Sequence, residues 1–196
     1  MPSFKKLVKK ILFFILFFQT SVFSQDSGKA YFAGGCFWCM EESFEKLNGV
    51  KEVISGYSGG TTENPTYKEV TYSNTGHFET IEIIYDKNLI NYKELLDHFW
   101  INIDPFDAIG QFCDKGYSYR SVAFYQSEDE KNKINQSIKN LEKKFNKKIV
   151  TYVKKFDKFY MAENYHQNYY KEKFLNYLRY KEACGRKSRL NSIWKS

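Results

Sequence analysis

Two of the four cysteines stand in one short run, Gly34-Gly35-Cys36-Phe37-Trp38-Cys39. A double glycine after an apolar strand pattern lets the backbone turn and approach closely, which sets Cys36 at the start of a helix. There the partial positive charge and the unpaired N–H groups of the first turn favour thiolate over thiol, and thiolate is the nucleophilic form. A lone buried cysteine elsewhere would read as inert packing. The Cys-x-x-Cys spacing also fits a thioredoxin-like dithiol or half of a zinc site. No second Cys-x-x-Cys or paired histidine completes a zinc site, and neither Pro65 nor Pro105 precedes the strand run that a thioredoxin fold requires. His77 and His98 have no partner at metal spacing and read as structural.

The elements that must position this run follow from periodicity. Residues 29–33 predict a strand, and Phe37, Met40, Phe44 and Leu47 recur at helical spacing until Asn48-Gly49. Residues 50–57 predict a second strand, residues 58–62 a loop, Pro65 opens a short helical segment through Val70, and residues 77–85 alternate as a strand. Tyr92, Leu95, Leu96 and Phe99 share one helical face within residues 91–101. Asp104-Pro105 begins an irregular stretch to Tyr117, long enough to be functional. Residues 119–125 predict a strand, 127–146 a helix and 149–153 a further strand, with a tail from Ala162 that is helical and then irregular. Strand, helix, strand, strand, helix, strand over residues 29–125 is the split βαβ pattern. The predicted class is α+β, a two-layer sandwich with a ferredoxin-like core plus an added helix, strand and C-terminal tail.

Further motifs stand along the chain: Gly56-Tyr57-Ser58-Gly59-Gly60, Asn64-Pro65-Thr66-Tyr67, Thr75-Gly76-His77-Phe78-Glu79, Tyr117-Ser118-Tyr119-Arg120-Ser121 and Ala162-Glu163-Asn164-Tyr165-His166-Gln167. With Gly-Cys-Phe-Trp at the first strand-to-helix turn, their order and spacing over residues 30–170 resemble the A-type peptide methionine sulfoxide reductases, the MsrA family. Reducing a sulfoxide needs a nucleophile on sulfur and an acid for the departing oxygen. The resemblance implies Cys36 for the first and Glu79 for the second, although an isolated strand glutamate would otherwise face water. It further implies that Tyr67 and Tyr119 donate hydrogen bonds to the same oxygen. Phe37 and Trp38 would wall in the S-methyl group, Asp114 would line the site, and His166 would support it from behind.

Attack leaves Cys36 as sulfenic acid, which condenses with a second thiol. The resemblance points to Cys184 in the tail as that thiol. Many relatives carry glycine where Cys39 stands and some use two tail cysteines, so Cys39 remains the rival, and Cys113, beside Asp114, is either free or a third participant. The implied activity is reduction of methionine S-sulfoxide, free or protein-bound, in the repair of oxidised proteins. No cofactor is implied, and the electrons come from an external dithiol, thioredoxin or similar.

Composition fits this reading. In 196 residues, 42% hydrophobic and 19% aromatic content suffices for one core, and a monomer is expected. Lys5, Lys6, Lys9 and Lys10 precede an apolar run over residues 11–18, too short to span a membrane comfortably, and Val22-Phe23-Ser24 offers a cleavage site. Residues 1–24 therefore predict a signal peptide, with an uncleaved membrane anchor as the alternative, and residues 25–196 a single catalytic domain, exported to the periplasm or another extracytoplasmic space. Removing four lysines takes the formal charge of +7 down to +3, and the remaining lysines interleave with acids as a solvated helix face does, so no nucleic-acid partner is expected. An even cysteine count in an exported chain ordinarily suggests two structural disulfides, but a domain of this size has no need of them and the four are unevenly placed.

Overall fold

The computed structural model describes residues 26–195. The expected signal peptide lies outside the described residues. The first half of the chain runs β1 (Ser27–Gly34), α1 (Phe37–Phe44), β2 (Val50–Ser58), α2 (Tyr67–Tyr72), β3 (Phe78–Asp86) and α3 (Tyr92–Ile101). A small hairpin follows, β4 (Gly110–Gln111) and β5 (Asp114–Lys115), then β6 (Ser121–Tyr125), α4 (Glu128–Phe145), β7 (Tyr152–Lys155) and β8 (Phe159–Met161). The tail forms α5 (Tyr169–Glu172), α6 (Phe174–Ala183) and α7 (Arg186–Trp194).

The main sheet has the order β7-β6-β1-β3-β2-β8. In its central four strands, β6-β1-β3-β2, each strand is antiparallel to its neighbour, which is the split βαβ core expected from the element order. Strand alternation explains its two faces. Ala30 and Phe32 of β1 join Ile81 and Ile83 of β3 and the apolar side chains of α1 and α3 in the main core, whereas Tyr31 and Ala33 join Phe78, Val122 and Phe124 on the other side. Glu79 shares the parity of Ile81 and Ile83, and it is buried with them.

Phe32 stacks on Phe99 with ring centroids 4.7 Å apart, joining the central strand to α3. Phe99→Ala should therefore cost about 3–5 kcal/mol of stability, read as a lowered urea midpoint at unchanged slope. Local signals set the helix starts: Asn91 and Glu94 form a capping box on α3, and Thr66 and Glu69 form one on α2.

Three expectations are corrected. The strand expected from Tyr119 begins at Ser121, because residues 117–119 form a 3₁₀ turn that points Tyr119 out of the ladder. The strand expected over residues 149–153 is displaced to Tyr152–Lys155, since Ile149 packs into the core and the Val150 N–H donates to the Pro105 carbonyl at 2.9 Å. The tail is helical to Trp194 rather than irregular. Its charged sequence conceals anchors: Trp194 donates to the Ile103 carbonyl at 3.1 Å, and Arg189 pairs with Asp104 at 2.7 Å. Strand β8, at three residues, is too short to show a period.

Candidate active site

The turn from β1 into α1 depends on its glycines. Gly35 has φ +80°, and a Cβ there would lie 2.5 Å from the Gln111 side chain; a Cβ on Gly34 would lie 2.5 Å from the Met40 sulfur. This turn leaves Cys36 at the N-cap of α1. Cys36 opens on a cavity of about 230 Å³ lined by Phe37, Trp38, Tyr67, Glu79, Asp114, Tyr119 and Tyr180. The six residues expected at the nucleophile, acid, donor and wall positions, together with Asp114, thus surround one space. Tyr180 was not anticipated; among 16 tyrosines nothing in its neighbourhood marks it.

Glu79 accepts a hydrogen bond from the Phe37 N–H at 3.0 Å, so the first amide of the helix serves the acid and not the thiol. Burial holds the Glu79 carboxyl well above the usual carboxylate range, and Asp114 and Cys39 push it further, against the bonds from Phe37 and Tyr119. Burial thus favours its neutral form, the one able to donate. The Tyr67 and Tyr119 hydroxyls are 3.4 Å apart, and burial followed by the Glu79 charge raises both, keeping them as phenols.

The expectation that the helix start lowers Cys36 is also corrected. Burial raises the Cys36 thiol, and its hydrogen bond to Cys39 and the charges of Cys39, Glu79 and Asp114 raise it further. Cys39 is instead lowered to about 7, mainly by the hydrogen bond from Cys36, with burial opposing and Arg186, Tyr177 and Lys181 assisting. Loss of a proton from the pair is therefore favoured at Cys39, with Cys36 keeping its own as the donor.

Cys36 and Cys39 are free and buried, whereas Cys113 and Cys184 are joined by a disulfide across a sequence separation of 71. The sulfur expected to attack Cys36 from the tail is thus bonded to Cys113, which is exposed. Asp114, next to Cys113, accepts from the Tyr180 hydroxyl at the cavity wall, and burial raises its carboxyl.

The aromatic wall is backed by the tail. The Trp38 indole donates to His166 Nδ1 at 3.2 Å and stacks on Tyr169 at 3.8 Å between centroids. Burial lowers His166 to about 4, so its ring is neutral and, accepting at Nδ1, carries its proton on Nε2. Glu163 accepts from the Tyr67 N–H and the Tyr57 hydroxyl, both at 2.8 Å, and Gln167 bonds both the N–H and the carbonyl of Ser55. The motif spanning residues 162–167 thereby clamps the tail against β2 and α2. His77 lies outside the cavity, between Thr62 and Gly60, and His98 lies against Ser43.

A thiol, a neutral buried acid and two phenols around an aromatic-walled space can attack a polarised sulfur while protonating the oxygen bound to it. The known relatives agree. The family model described as peptide methionine sulfoxide reductase matches residues 28–196. A peptide methionine sulfoxide reductase MsrA of Listeria monocytogenes is 47% identical over 169 residues, covering 85% of this chain and 96% of that protein. Reduced Mxr1 from Saccharomyces cerevisiae superposes with a TM-score of 0.70 at 29% identity, over 74% of this chain and 85% of that one. Methionine sulfoxide reductase A of Corynebacterium diphtheriae gives a TM-score of 0.68 at 27% identity, over 74% of each chain. With the family model spanning residues 28–196, the stretch that lines the cavity, this chain belongs to the peptide methionine sulfoxide reductase family.

Proposed function

We propose that this protein reduces the S epimer of methionine sulfoxide, free and in proteins, with Cys36 as nucleophile and without a bound cofactor. The observation that carries the reading is the buried Glu79 carboxyl beside the Tyr67 and Tyr119 hydroxyls, lining one cavity with Cys36. The S-methyl group packs on Phe37 and Trp38, an apolar contact that sulfur substituents favour with aromatic rings. Cys39 takes the Cys36 proton along their shared hydrogen bond as Cys36 attacks the sulfur. Glu79 protonates the oxygen, methionine leaves, and the oxygen stays on Cys36 as sulfenic acid.

The second step follows from proximity. Cys39, already hydrogen-bonded to Cys36, attacks it, forming the Cys36–Cys39 disulfide and releasing water. The role expected of Cys184 moves outward. A reduced Cys113/Cys184 pair exchanges with the inner disulfide, returning Cys36 and Cys39 to thiols and forming the Cys113–Cys184 bond. An external dithiol then reduces that bond at its exposed Cys113 end. A complex of Mxr1 with Trx2 supports a thioredoxin-like protein as this partner. The export signal read in residues 1–24 calls for one that works outside the cytoplasm.

Mass spectrometry of the protein given one equivalent of each sulfoxide epimer, quenched after one turnover, tests the reading. Methionine should form from the S epimer, and the trapped protein should carry Cys36 joined to Cys39. Recovery of Cys36 joined to Cys184 would overturn the proposed order, and turnover of the R epimer alone would overturn the substrate.

A further inference from the structure

Arg186 is 5% exposed, opens α7, and lies two residues beyond Cys184 through Gly185, whose φ of +69° makes the turn. Its guanidinium donates to the Gly34 carbonyl at 3.4 Å, to the Met40 sulfur at 3.1 Å and to the Asn102 carbonyl. It also lies 4.5 Å over the ring of Phe112, the residue before Cys113. These contacts bracket the reactive turn, since Gly34 stands two residues before Cys36 and Met40 directly follows Cys39. Among the described residues no carboxylate lies within ion-pair distance of this guanidinium, although arginine stays charged under all ordinary conditions. A cation buried among neutral acceptors needs a counter-charge; Asp114 lies close enough for the two charges to act on each other without an ion-pair contact, and Cys39 is the group in the reactive turn that the cation favours as thiolate.

We propose that Arg186 is a positioning residue for the second thiol, a buried cation docked by the tail against the first turn of α1 that holds Cys39 ready to take the Cys36 proton and attack its sulfenic acid. The inference rests on the reaction order given above. The groups facing Cys39 are Cys36 from its own turn, Arg186 from α7, Tyr177, Tyr180 and Lys181 from α6, and Glu79 from β3. Lys181 is committed to Glu42, and Tyr177 also donates to Glu42, so Arg186 is the one cation here without a carboxylate in contact. The Cys113–Cys184 bond joins the two segments that carry Phe112 and Arg186.

Alkylation of the full chain by iodoacetamide across pH, with each cysteine read separately by mass spectrometry, tests this without any substrate. Arg186→Gln should raise the Cys39 midpoint by about one to two units, the range that a neighbouring opposite charge produces. In a separate single turnover with one equivalent of the S-sulfoxide as oxidant, formation of the Cys36–Cys39 disulfide at pH 7 should slow by about tenfold, and Arg186→Lys should recover part of both effects. A Cys39 profile unmoved in a folded Arg186→Gln protein would overturn the proposal. Should that variant fail to fold, Phe112→Leu removes only the stacked ring and should shift the same midpoint upward by less; no shift there overturns it equally. A single-turnover map that does not join Cys36 to Cys39 strikes the reaction order alone, because the alkylation profile still reports whether Arg186 acts on Cys39.

Discussion

Purified protein carrying Cys36→Ser is expected to form methionine from the S-sulfoxide at least ~10⁴-fold more slowly than wild type under the same dithiol reductant, a loss of the size seen when a covalent nucleophile is removed. Serine keeps the hydrogen bond and the shape of the turn at Gly34-Gly35, so the fold and the cavity should persist, and an unchanged thermal melt would show it. The hydroxyl is too weakly acidic and too poor a nucleophile to attack sulfur there, even with Cys39 beside it. Turnover within tenfold of wild type would mean that another thiol opens the reaction. Cys39, as the more acidic of the pair, would be the first to examine.

Glu79→Gln is expected to lower turnover by about 10²–10⁴-fold, the range for loss of a general acid, because the amide retains the bond from the Phe37 N–H but cannot deliver a proton to the departing oxygen. The same change should stabilise the fold at alkaline pH. Glu79 has a folded-state value raised above its unfolded one, so between the two values the folded chain binds more protons than the unfolded chain, and wild-type stability falls as pH rises. Below the unfolded value both states are protonated and the difference vanishes. Thermal melts at pH 4 and pH 8 should therefore show the variant gaining on wild type only at pH 8. Wild-type activity should decline on the alkaline side as Glu79 loses its proton, a limb absent in the variant. Equal melting at both values would remove the case for a neutral buried Glu79.

Much of this site was readable along the chain because its signals are local. Gly34-Gly35 forced the turn, since a side chain at either position would strike Met40 or Gln111. Glu79 read alone as a surface carboxylate and was named as the acid by the resemblance; the structure buries it on the same face of the strand as Ile81 and Ile83. Tyr119 was assigned to a strand because a three-residue 3₁₀ turn leaves no period to read. The last helix hid in a run whose apolar residues are only Leu190, Ile193 and Trp194, and its anchors, the buried Arg186 and the half-buried Trp194, are held by contacts with elements far upstream.

The sequence by itself determined the α+β core and the helix that begins at Cys36, because backbone turns and side-chain parity depend on neighbours within a few positions, while the acid, donors and wall were named by the resemblance that the motifs carry. Only the tertiary structure decided how the four sulfurs divide. Cys113 meets Cys184, Cys36 donates to Cys39, and loss of a proton is favoured at Cys39 rather than at the residue at the helix start. The physical reason is that desolvation and Coulomb energy depend on distance in space. The Phe37 amide that would have favoured a Cys36 thiolate is taken by Glu79, and the cation that favours Cys39 arrives from a tail helix far along the chain.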